Sequence, residues 1–318
     1  MKISIIYHVY KEHFNLNESI ESILKQDNKN FELILILDAP SDNASDIIEK
    51  FDLFKDKRIK IIKFMENFGR SFTYNFALDK AKGDYVYFTE SKVILEPNFI
   101  GELLDVIKSN NNKYDYINFL VSNNDSLTNL PYEVGAGFDN ELDNIVNIKL
   151  TLKDKIFKRK FLIDNKIEFA QYKNFHSLYI YNVLENYKYA FYLDKQLANW
   201  KRELKKGYEY NLYNILESAE MLCEILMKKN EYDEDRINAY LTWIPICILY
   251  EFVKKMYSSY HNNEKIVTKA IENAADLIDR IYPNYKKNPK LEILNRKLIS
   301  KYILEFKRNF SYVRKNLK

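Results

Sequence analysis

At 318 residues, 47% hydrophobic and 30% charged, the chain can bury the core of one large domain or two smaller ones and remain soluble. No run approaches the roughly 20 apolar residues of a bilayer span. MKISIIYHVY is too short for a signal peptide and lacks a small-residue cleavage site, so a cytoplasmic protein is expected. The net charge of +4 is uneven: residues 286–318 hold eleven Lys or Arg against Glu292 and Glu305, and the rest of the chain is acidic. Such a basic tail suggests an anionic surface as partner, with a solvated helix face as the alternative. Cys223 and Cys247 lie in apolar helical patterns without metal-ligand spacing and read as core thiols in a reducing compartment.

The first 120 residues alternate between two periods. KISIIYHV is an apolar strand, and NESIESILKQ follows with Ile20, Ile23 and Leu24 at helical spacing. FELILIL is a continuous apolar run, as strands buried on both faces tend to be. SDNASDIIEKF reads as a helix capped at Ser41 and Asp42, and RIKIIKF as a third strand. GRSFTYNFALDKAKG reads as a helix closed by Gly83, and DYVYF as a fourth strand. A short polar loop then leads to Pro97, which opens a helix. Strands alternating with helices predict an α/β fold, a mostly parallel sheet with helices on both faces.

Beyond this, YDYINFLV and YAFYL read as strands, and DKIFKRKFLIDN and FHSLYIYNVLENY as helices. From about residue 205 the pattern is helical throughout, so the expected organisation is a domain over 1–204 and an all-helical domain with a basic tail over 205–318. In the tail, Leu291, Leu294, Leu298, Tyr302, Phe306, Phe310, Val313 and Leu317 fall at steps of three or four and form one stripe. With Lys and Arg on the other faces, such a helix can lie on an anionic membrane or pack on the preceding helices. No nucleic-acid recognition module is visible.

In an open α/β sheet, ligands sit where strands end at their carboxyl side. A site for a charged ligand is therefore expected near Thr89. A metal there would want carboxylates, yet the loop offers Glu90, Ser91 and Lys92. Asp38 also ends a buried strand, where a carboxylate needs a partner; a nucleotide base or the cap of the next helix would serve. Asn67, Gly69 and Arg70 stand where strand three turns into a helix N-terminus, a natural place for an anion.

The stretches ISIIYHVYKE, ESIESILKQDNKNFELILILD, SDNASDII, RIKIIKFMENFGRS, NFALDKAKGDYVYF and EPNF, in this order over residues 3–100, resemble a family 2 glycosyltransferase of the GT-A fold. IFKRKFLIDNKIEF and HSLYIYNVL resemble its acceptor-side half more weakly. The resemblance implies a hexosyltransferase type of enzyme with a nucleotide-sugar donor, UDP-linked, and a glycan, lipid-linked or protein acceptor. It places His8, Tyr10, Asp38, Asn67, Gly69, Arg70 and Glu90 around the donor, with Tyr10 able to stack on a base. The family's usual Asp-x-Asp becomes Glu90, Ser91 and Lys92, and the usual Glu-Asp before a short helix becomes Phe175 and His176.

An ammonium has donors only and cannot ligate a metal, so no metal site is expected; Lys92 can instead contact a diphosphate. Imidazole, with a reference pKa of about 6.5, can act as general base, which makes His176 the candidate for that role; an aromatic-cluster residue is the alternative. Trp200 and Arg202 follow the last strand, where an acceptor loop would lie. The rival reading is a non-catalytic subunit that binds or stabilises a partner glycosyltransferase.

Overall fold

The computed structural model describes residues 1–10, 15–39, 49–122, 137–139, 151–170 and 176–201, together with Ile225, Lys265, Lys269, Glu272 and Asp276. The chain divides into two compact units, residues 1–140 with 149–206, and residues 141–148 with 207–318. The helical reading beyond residue 205, the stripe and basic tail, Ser41, Asp42, Phe175, Arg202, Cys223 and Cys247 lie outside the described residues, the five positions above excepted. Among the described residues no helix is long and apolar enough to cross a membrane.

Strands β1 (Ile3–Val9), β2 (Phe31–Asp38), β3 (Ile59–Phe64) and β4 (Tyr85–Glu90) run parallel in the spatial order β3-β2-β1-β4. Their apolar runs are continuous because both faces are covered. Ile5, Tyr7, Leu33, Leu35, Tyr85 and Tyr87 point to one face, packed with Ile20 and Ile23 of α1 (Leu16–Leu24) and Leu103 and Ile107 of α3 (Phe99–Ser109). The opposite face lies under α2 (Gly69–Lys80) and α5 (His176–Asn186). There the Phe88 ring meets Tyr74 at 5.0 Å and Tyr179 at 5.9 Å. Side chains alternate along a strand, so His8, Asp38 and Glu90 share this second face.

Beyond β4 the sheet becomes mixed, continuing β4-β8-β6-β9-β5 with β7 (Gly137–Asp139) on β9. Strand β6 (Tyr116–Ser122) runs parallel to β9 (Tyr189–Trp200), whereas β8 (Lys155–Lys158) is antiparallel to both β4 and β6. Register shifts at Phe119/Leu120 and Leu120/Val121 bend the long β9, and its end pairs with β5 (Val93–Leu95), Trp200 opposite Val93.

Three local expectations change. DKIFKRKFLIDN is not one helix: Lys155–Lys158 is β8, inserted between β4 and β6, and only Arg159–Asp164 is helical (α4). The loop before Pro97 contains β5, and the helix after it starts at Phe99. Gly83 does not close α2, which ends at Lys80; instead it packs on β1. A Cβ there would stand 2.5 Å from the Ser4 amide nitrogen and 2.9 Å from the Lys2 carbonyl oxygen, so Gly83 is set by space.

Candidate functional site

Parallel pairing sets His8 opposite Ile36 on one side and Glu90 on the other, so the carboxyl ends of β1, β2 and β4 form one floor. Asp38 is fully buried there. Its Oδ2 lies 3.2 Å from His8 Nε2 and accepts the Gly69 amide at 2.9 Å, while Oδ1 accepts the Phe68 amide at 2.8 Å. The two amides belong to the start of α2, so the anion at this helix N-terminus is Asp38 itself, supplied from a neighbouring strand. Burial acts to raise the Asp38 pKa, but the His8 contact and the two amides outweigh it and hold the carboxyl below its ordinary range.

Gly69 has φ +80°, which only glycine adopts without strain, and its amide also reaches Asn67 Oδ1 at 3.0 Å. No atom stands within 4 Å of where a Cβ would be, so here backbone conformation, not space, requires glycine. That turn aims Arg70 back at the sheet, where its guanidinium lies 2.8 Å from Glu90 Oε2, with the side chains 27% and 22% exposed. Burial acts to raise the Glu90 pKa as well. The charges of Arg70 and Lys92, with smaller electrostatic contributions from His176 and His8, outweigh it, and the carboxyl is held below its ordinary range. Four side chains able to carry positive charge, from α2, the loop after β4, the start of α5 and β1, thus act on one carboxylate.

The floor has supports that the strand-end reasoning missed. Tyr74, one turn beyond Arg70, stands edge-on to His8 at 6.0 Å and donates its hydroxyl to the Thr89 carbonyl at 3.2 Å. Asn75 holds the Phe169 backbone through both its amide groups, at 2.9 and 2.8 Å. Phe169 stacks on Tyr179 at 3.9 Å and meets the His176 ring edge-on at 6.4 Å. His176 therefore borders an aromatic cluster and lies within electrostatic reach of Glu90. The helical spacing of Arg70 and Tyr74 was the available signal for one of these supports; nothing in the sequence marked Asn75 or Phe169. Tyr10 lies part-buried one residue beyond β1.

A divalent metal does not fit these residues. Lys92 offers donors only, Glu90 is paired with Arg70, and among the described residues no group of three His, Cys, Asp or Glu could hold an ion.

The sequence model of glycosyl transferase family 2 matches residues 4–170, just over half of the chain. The chain belongs to glycosyl transferase family 2. Among curated relatives, an uncharacterized glycosyltransferase of Haemophilus influenzae is 43% identical over 89 residues, 28% of this chain and 35% of that protein. Glycosyltransferase GlyG of Streptococcus pneumoniae is 31% identical over 121 residues, 36% of this chain and 40% of GlyG. The match thus spans well under half the length of these two relatives. The Escherichia coli UDP-Glc:alpha-D-GlcNAc-diphosphoundecaprenol beta-1,3-glucosyltransferase WfgD is 32% identical over 126 residues, 39% of this chain and 48% of WfgD. The solved structure of S. aureus TarS in complex with UDP-GlcNAc superposes with a TM-score of 0.64 at 18% identity, covering 90% of this chain and 92% of that one. At that identity the likeness concerns the fold, which is GT-A. The family 2 sheet therefore frames the floor of His8, Asp38 and Glu90.

Proposed function

We propose that this family 2 member transfers a sugar from a UDP-linked donor to the hydroxyl of a glycan, lipid-linked or protein acceptor, with inversion and without a metal ion. The observation that carries the proposal is the pair of cations, Arg70 and Lys92, beside Glu90 at the carboxyl ends of the parallel strands, where open α/β sheets take their ligands. WfgD, which by its name uses UDP-Glc, and TarS, solved with UDP-GlcNAc, support the choice of nucleotide.

In the reaction, His176 takes the proton from the acceptor hydroxyl. The acceptor oxygen then bonds to the anomeric carbon as the bond from that carbon to the diphosphate oxygen breaks, and the electron pair leaves on UDP. Charge grows on the diphosphate as it departs, and the Lys92 ammonium offsets it, aided by Arg70. Glu90 accepts hydrogen bonds from the ribose hydroxyls. Asp38 fixes the turn that carries Arg70 and holds His8, and Tyr10 lies against the base.

The rival reading, a non-catalytic subunit, draws on the internal partners that Asp38 and Glu90 already have. Calorimetry with a panel of nucleotide sugars, in manganese and in chelator, tests both. Binding of a UDP-sugar that survives the chelator, with UDP released in an acceptor mixture, is the expected outcome. Binding without release in any mixture favours the subunit reading.

A further inference from the structure

Asn75 of α2 is bound at both edges of its amide to one residue 94 positions away. Its side-chain nitrogen donates to the Phe169 carbonyl at 2.9 Å, and its Oδ1 accepts the Phe169 amide at 2.8 Å. A carboxamide has a donor edge and an acceptor edge, so one side chain satisfies both backbone groups of Phe169, as a paired strand would. After α4 the Ile167 amide still donates back to the Leu162 carbonyl at 2.9 Å. At Phe169 the partner comes from α2 instead.

Phe169 is buried where three elements meet. Its ring lies 5.2 Å from Tyr74 of α2, 5.0 Å from Phe88 of β4 and 3.9 Å from Tyr179 of α5, the last with the planes 6° apart. The same ring meets His176 edge-on at 6.4 Å. His176 and Tyr179 are three positions apart and share one face of the first turn of α5. One ring thus sets the start of α5 against the sheet. Packing alone leaves that placement soft, because the hydrophobic effect is non-directional and rewards burial at many ring offsets. Hydrogen bonds have preferred lengths and angles, and the two to Asn75 remove the freedom to slide. The helix that points Arg70 at Glu90 therefore also holds the support of His176.

We infer that Asn75 is a positioning residue for the transfer step: through Phe169 it holds the His176 ring where that ring can reach the acceptor hydroxyl. The inference rests on the proposed role of His176 as general base. Asn75 exchanges no proton itself. A base works only within hydrogen-bond reach of the proton it takes, and a misplacement of about 1 Å can cost about a hundredfold in rate.

The test uses the full chain and three measurements. Calorimetry with UDP counts the binding sites and gives the affinity. UDP release from UDP-glucose or UDP-N-acetylglucosamine in an acceptor mixture gives kcat per UDP-binding site. The nuclear Overhauser contact between the Phe169 and His176 ring protons, read in the UDP-bound protein, reports the placement without need of turnover. Asn75→Ala should lower kcat per site about ten- to a hundredfold and lose the Overhauser contact, with UDP affinity and the donor KM within about twofold of the parent. Asn75→Asp, of the same shape but without the donor edge, should do the same and replaces Asn75→Ala if that variant does not fold. Phe169→Leu removes the ring and keeps the backbone bonds. Adding Asn75→Ala to it should slow the protein no further, because residues that act through one another are not additive. An unchanged kcat per site, a surviving Overhauser contact, or losses that multiply in the double variant overturns the inference. A fall in UDP affinity that matches the fall in kcat also overturns it, since that assigns Asn75 to the fold of the whole site. A parent protein that binds UDP without turnover removes the general-base reading instead, and the Overhauser contact in Asn75→Ala still decides whether Asn75 sets His176.

Discussion

At the scale of single residues, the site is a balance of charges around two carboxylates that the fold itself satisfies. Lys92 follows β4 in the loop to β5, and its ammonium acts on Glu90. In Lys92→Ala, UDP binding should weaken by about 1 to 3 kcal/mol, the range for a charge-assisted hydrogen bond. Calorimetry in chelator reads this directly, and unchanged affinity would remove Lys92 from the donor site. His176→Ala should lower turnover by roughly 10² to 10⁴ while donor binding stays nearly intact. An unchanged rate would reduce His176 to the rim of its aromatic cluster. Asp38 and Glu90 both have carboxyl pKa values held below the ordinary range. A depressed carboxyl stabilises the fold above its unfolded pKa, about 4, and loses that contribution as pH falls through the lower folded value. The melting temperature should therefore respond little to these two groups between pH 7 and 5 and fall below about pH 4. Asp38→Asn should melt lower at pH 7 and show a shallower acid loss. An acid profile identical to that of the parent protein would contradict this account.

At the scale of elements, the decisive joint is the one between β2, β3 and α2. Asp38 binds the first amides of α2 and Gly69 turns the chain, so the helix leaves at the angle that aims Arg70 at Glu90 and Tyr74 at His8. The joint between α2 and β4 is set by contact instead. The Gly83 amide donates to Ser4 Oγ at 2.8 Å and to Glu32 Oε1 at 3.1 Å. An added methyl would meet β1 backbone, which cannot swing aside as a flexible side chain can. Gly83→Ala should therefore destabilise the protein by about 1 to 3 kcal/mol in urea unfolding, as overpacking does. A neutral Gly83→Ala would show that β1 yields there. Both glycines were visible in the sequence, but their reasons differ: Gly69 meets a backbone angle, and Gly83 a close approach across 79 positions of chain.

At the scale of the whole molecule, the parallel strands β3-β2-β1-β4 put the site at their carboxyl edge, and the mixed strands beyond them bring Trp200 round to Val93. The basic tail is a separate proposal. If its stripe and charges serve as a membrane address, the protein should float with anionic vesicles and not with neutral ones, and salt should weaken the effect. Truncation at residue 289 should abolish flotation and leave UDP binding unchanged. Absence of flotation at low salt would assign the stripe to packing.

The sequence by itself determined what is local. Period and apolar runs gave β1, β2, β3, β4 and α1, because strands buried on both faces and helices with one apolar stripe write their environment into consecutive residues. Residue order also identified the family, and with it the strand ends where His8, Asp38 and Glu90 would gather. Tertiary structure decided the rest, because it depends on partners far apart in the chain. β8 looks helical until β4 and β6 close on it, and β5 looks like a loop until the bent end of β9 pairs with it. Asp38 was open to a ligand or to a helix cap; the geometry sets it on Phe68, Gly69 and His8, about thirty residues away in either direction along the chain. The convergence of Arg70, Lys92, His176 and His8 on Glu90 belongs to the same class, since Coulomb energy depends on distance in space and the sequence records only distance along the chain.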